Sequence, residues 1–99
     1  MRVLPGPDAR ALRVARAAAD VARDFGATRV ALFGSLAHER WSSERSDIDL
    51  AAWGLGAEAH LLAWARIDEV AGGIPVDLVR VEHCPAALRG AIEREGVDV

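Results

Sequence analysis

Asp47 and Asp49 stand two residues apart in the segment DIDLAAW. On an extended strand that spacing puts both carboxylates on one face, about 6–7 Å apart. Charges this close repel, and each raises the cost of ionising the other. A hard divalent cation relieves the repulsion, and Mg2+ favours carboxylate and water oxygens together with substrate phosphates. An Asp-x-Asp pair on its own is commonly just a solvated strand face. Here Ile48, Leu50, Ala51, Ala52 and Trp53 indicate a strand well inside the fold, where acids need partners. A third carboxylate, Asp77, is the lone acid of the apolar stretch VDLV. If its strand lies beside the first, three acids meet at one place.

A second feature precedes them. The apolar run TRVALF breaks at Gly34-Ser35. Gly34 allows a tight turn and a close approach to the main chain. Ser35 offers a hydroxyl and a free amide at the start of a short predicted helix, Ser35 to Trp41, where unpaired amides and the helix dipole favour phosphate. A Gly-Ser turn alone is commonplace. A phosphate cradle facing a carboxylate triad, however, suits nucleotidyl transfer, in which bound metal clamps a triphosphate and activates the attacking oxygen.

The elements that must hold these residues follow from periodicity. Asp8 to Phe25 reads as a helix, capped by Asp8 and stopped at Gly26, with Leu12, Val14, Ala15, Ala18, Val21 and Ala22 as its apolar stripe. Thr28 to Phe33 reads as a buried strand. Asp47 to Trp53 alternates, with Ile48, Leu50 and Ala52 on one face and Asp47, Asp49, Ala51 and Trp53 on the other. A second helix spans Ala57 to Ala71, its Leu61, Trp64, Ile67, Val70 and Ala71 available to the sheet. A third strand covers Val76 to Val81, and Pro85 opens a last helix running to Glu95. The tail Val97 to Val99 is too short to assign. The expected fold is α/β, or α+β: a small central sheet flanked by helices.

Together, Phe33-Gly34-Ser35, Ser46-Asp47-Ile48-Asp49-Leu50 and Val76-Asp77-Leu78 resemble the minimal nucleotidyltransferase family of the DNA polymerase β-like superfamily. The resemblance covers Thr28 to Val79. It implies a polymerase β-like core with a mixed sheet. It also implies that Gly34 and Ser35 hold the triphosphate of ATP or another nucleotide, while Asp47, Asp49 and Asp77 hold Mg2+ and carry the catalysis. Many members this small resemble antitoxins that neutralise a helical HEPN-domain toxin by transferring AMP to one of its tyrosines, which implies a hetero-oligomer with such a partner. Two departures leave an alternative open, a catalytically inactive module that binds and neutralises or chaperones its partner. Leu36 to Ser46 makes an eleven-residue spacer, one longer than is usual, and Glu39 stands where the family commonly has Gly.

Composition narrows the rest. The 99 residues suffice for one domain, 1–99. A formal net charge of −3 argues against a direct grip on a nucleic-acid backbone, which needs clustered cations. No apolar run is long enough for a membrane span, and the first ten residues hold no secretory core. A single cysteine, Cys84, excludes an internal disulfide, and the expected location is cytoplasmic. The three tryptophans read as packing residues, although Trp53, sharing a face with Asp49, could floor a nucleotide pocket. His38 reads as a surface residue, and His60 and His83 have no partners that spacing identifies.

Overall fold

The structure, a computed structural model, describes residues 9–34 and 47–99. In chain order these form α1 (Ala9–Asp24), β1 (Arg29–Phe33), β2 (Ile48–Trp53), α2 (Ala57–Val70), β3 (Val76–Arg80), a 3-10 turn (Val81–His83), α3 (Ala86–Glu95) and β4 (Val97–Asp98). The four strands make one mixed sheet in the order β3-β2-β1-β4. β1 and β2 are antiparallel, running from Arg29 opposite Trp53 to Phe33 opposite Asp49. β2 and β3 are parallel, and α2 supplies the long crossover that parallel neighbours require. The expected α+β architecture with a mixed sheet is therefore the observed one.

The alternation of β2 sorts its residues between two layers. Ile48, Leu50 and Ala52 face α1 and α2, sharing a core with Val30, Leu32, Val76, Leu78 and Ile67. On the opposite face Ala51 packs with Val81 and Ile92 of α3, flanked by Phe33, Trp53 and Val79. The large side chains Leu32, Ile48, Leu50, Ile67, Leu78 and Ile92 are all fully buried, each stabilising the fold by about 1.5–3 kcal/mol.

α1 buries almost nothing but methyl groups: Ala11, Ala15, Ala18, Ala19 and Ala22. Val14 and Val21 of the predicted stripe pack at its margin. The helix ends before Gly26, whose φ of +115° suits glycine; its expected cap, Asp8, lies outside the described residues. α2 differs from expectation. It buries Ala63, Ile67 and Ala71, four residues apart, so its inner stripe is centred on alanine. Leu61, expected to face the sheet, is two positions away and 66% exposed, and Leu62 beside it is 53% exposed. The third strand yields one residue early, because Val81 enters the 3-10 turn. The tail does add a strand: β4 pairs antiparallel with β1, Ala31 opposite Asp98 and Leu32 opposite Val97. Among the described residues no helix is long and apolar enough to cross a membrane.

Candidate active site

Asp49 and Asp77 are register partners on parallel neighbours β2 and β3. Paired positions in adjacent strands lie about 5 Å apart and present their side chains on the same face. The strand adjacency on which the sequence reading depended is present, and it brings Asp77 beside Asp49. Asp77 is exposed and Asp49 half-buried; Asp47 is exposed and lies just before β2.

Electrostatics mark Asp49 out. Its carboxyl is pushed up from 3.8 to about 6, first by burial, then by the charge of Asp77, then by that of Asp47. Among the described residues no hydrogen bond or ion pair reaches the side chain of Asp49 or Asp77. A half-buried carboxylate beside two like charges is costly to ionise, and a cation would relieve that cost.

Gly34 completes the described part of the site. It follows Phe33, the β1 partner of Asp49, and has φ +76°. A Cβ built on Gly34 would collide with Oδ2 of Asp49 and lie 3.2 Å from its Cγ. The bare main chain of the turn is therefore laid against the carboxylate. Ser35, Asp47's expected companion across the site, lies outside the described residues, as do His38, Glu39, Arg40, Trp41, Arg45 and the predicted helix Ser35 to Trp41.

Among the described residues no three acidic, histidine or cysteine side chains close into a ready-made metal cage. Mg2+ is commonly held by one or two carboxylates and completed by substrate phosphates and water. The facing pair Asp49 and Asp77, with Asp47 nearby, fits such an ion.

Trp53 is a packing residue and lies away from the acids. It shares the face of Asp49, but four residues along β2 places it about 13 Å away, with Ala51 buried between them in the cluster that holds Ile92. The Arg29 guanidinium stacks 4.3 Å from its ring centroid. Trp53 also lines a cavity of about 290 Å3 with Val81, Glu82, Arg89 and Glu93, so it belongs to the far end of the sheet.

Two contacts near the site were not legible in the sequence, which turned Trp64 toward the sheet but gave neither ring a partner. His60 Nε2 bonds to the Leu78 carbonyl at 2.6 Å, and Trp64 Nε1 donates to the Val76 carbonyl at 2.7 Å. These carbonyls flank Asp77. The available signal was two polar-tipped rings four apart on α2, which share a helix face.

No protein-family model and no curated protein matches the chain. Solved structures do. One, provisionally named a minimal nucleotidyltransferase, superposes with a TM-score of 0.75 at 27% identity, over 90% of this chain and 93% of that one. A toxin–antitoxin structure with AMP-PNP gives 0.68 at 24% identity, over 80% of this chain and 66% of the other. A complex of tri-AMPylated Shewanella oneidensis HEPN toxin with MNT antitoxin gives 0.64 at 21% identity, over 90% and 70%. At these identities the last two likenesses speak for the fold. The structural neighbours of the chain are thus minimal nucleotidyltransferase and MNT–HEPN toxin–antitoxin structures, and the family resemblance read from the sequence agrees with the fold.

Proposed function

We propose that the chain is an Mg2+-dependent nucleotidyltransferase that moves a nucleoside monophosphate, AMP from ATP, onto a hydroxyl of a helical HEPN-domain partner, as the antitoxin of such a pair. The observation that carries this reading is the Asp49–Asp77 pairing on one sheet face, with the Gly34 turn seated against Asp49. Neighbours that include an AMP-PNP complex and an AMPylated HEPN toxin support it.

In this reading Asp47, Asp49 and Asp77 hold Mg2+, which when bound offsets the charge of the triphosphate. Gly34 and Ser35 seat the β- and γ-phosphates with main-chain amides and the hydroxyl. The acceptor oxygen attacks the α-phosphorus, an O–P bond forms, the bond to the bridging oxygen breaks, and pyrophosphate leaves. Asp77, exposed at the sheet edge, takes the hydroxyl proton. In this reading the partner supplies the acceptor and shields it from water. A cytoplasmic, reducing setting suits the free Cys84.

The test is transfer of label from α-labelled ATP to the co-expressed partner, comparing wild type with Asp47→Ala and Asp49→Ala. Labelling of the partner by wild type alone is expected, and equal labelling by all three would remove the mechanism. The second reading, an inactive binding module, is favoured by Glu39 and the eleven-residue spacer Leu36 to Ser46. It requires partner binding that EDTA and both Asp variants leave intact, with no label transferred by any of them.

A further inference from the structure

We infer that His60 and Trp64 are positioning residues that hold Asp77 in register with Asp49, an inference that rests on the metal-binding role proposed for those two acids. β3 is an edge strand, and edge strands leave one row of backbone groups unpaired and prone to fray. The Ile48 amide donates to the Pro75 carbonyl at 2.9 Å, so the Pro75 carbonyl points toward β2. Alternation along the strand then turns the Val76 and Leu78 carbonyls outward and the Asp77 carbonyl inward.

Both outward carbonyls are claimed. Trp64 Nε1 donates to Val76 O at 2.7 Å, and His60 Nε2 to Leu78 O at 2.6 Å. The two rings lie 5.4 Å apart on one helix, tilted at 55°, and each is half-buried. Asp77 is therefore pinned on both sides along its outer edge, and along its inner edge by the ladder to β2. Its side chain has no bond among the described residues, so the backbone sets where its Cβ stands and thus the region its carboxylate can reach. Of the carbonyls that β3 turns outward, these two donors take the pair on either side of the acid.

The test uses three variants. Trp64→Phe keeps the ring and removes the N–H; His60→Leu removes the donor; His60→Gln restores a side-chain N–H of similar reach. Two measurements are made: amide hydrogen exchange at Asp77 and Val79 in the metal-free chain, and Mn2+ affinity with ATP present, by electron paramagnetic resonance. Trp64→Phe and His60→Leu are expected to speed local exchange roughly fivefold, the worth of one net hydrogen bond, and to weaken Mn2+ roughly tenfold. His60→Gln is expected to recover most of both. Wild-type exchange and Mn2+ affinity in Trp64→Phe and His60→Leu would overturn the inference, as would a uniform rise in exchange across the whole chain with Mn2+ affinity unmoved. Asp77→Asn separates the two readings: if it binds Mn2+ like wild type, the metal role of Asp77 fails, and exchange at position 77 then decides alone whether α2 fixes that residue.

Discussion

The space that a side chain at position 34 would need is already filled by the carboxylate of Asp49. The turn after β1 and the acid of β2 thus fit together as one unit. Glycine is required there twice, once for its φ of +76° and once for its missing Cβ.

Gly34→Ala should therefore do more harm than a strained backbone alone. Placing an L side chain in the left-handed region costs about 1–2 kcal/mol. Here Asp49 must also move, so label transfer should fall with stability. Gly73→Ala is the comparison, because Gly73 has a similar positive φ, +90°, but nothing within 4 Å of its would-be Cβ. Urea unfolding of both variants checks this. Equal costs would mean that the turn and the acid are not fitted to each other.

The pH dependence of stability should carry the signature of Asp49. Its carboxyl titrates near 6 when folded, against 3.8 ordinarily. Between those values the folded chain holds a proton that the unfolded chain has released. The group therefore favours the folded state below about pH 4, and the contribution is lost as pH rises through about 6. The urea midpoint of wild type should drop relative to Asp49→Asn over that window. Mg2+ with ATP should reverse the difference above about pH 6, because the cation favours the ionised form.

Stability and activity should part company at the same residue. Asp49→Asn removes a half-buried charge beside two other acids, so at pH 8 the metal-free variant should melt at or above the wild-type temperature. Transfer should nonetheless fall about a thousandfold or more, the scale of a lost metal contribution of several kcal/mol. A variant that is both less stable and still active would contradict the site.

The alanine seam of α1 should resist enlargement. Ala15 and Ala18 are fully buried, so Ala15→Leu or Ala18→Leu would drive the helix off the sheet at a cost of about 1–3 kcal/mol. Thermal unfolding measures it, and Ala17→Leu on the exposed side of α1 is the neutral control.

Most of this fold was legible because alternation and helical periodicity are strong wherever one face is buried. β2 is the clearest case: Ile48, Leu50 and Ala52 went inward and Asp49 and Trp53 to the other face, as their spacing demanded. The acidic pair across β2 and β3 could be anticipated but not assigned, since strand order depends on contacts distant in sequence. Leu61 misled because size was read as burial, whereas α2 meets α1 and the sheet through Ala63 and Ile67. His60 and Trp64 were opaque for a different reason: their partners are main-chain carbonyls, which leave no trace in residue type. The two-residue β4 was similarly invisible, because only its pairing with β1 makes it a strand.

The antiparallel ladder from Arg29–Trp53 to Phe33–Asp49 also has a bearing on how such a chain can diverge. Alignment of the two strands is set by five successive rungs and by the layers on either side, so the peptide joining them does not dictate where the acids stand. That join can gain or lose a residue, or trade glycine for glutamate, while the acidic partners keep their places. A change confined to the joining peptide would thus leave Asp49 opposite Phe33 on one side and beside Asp77 on the other.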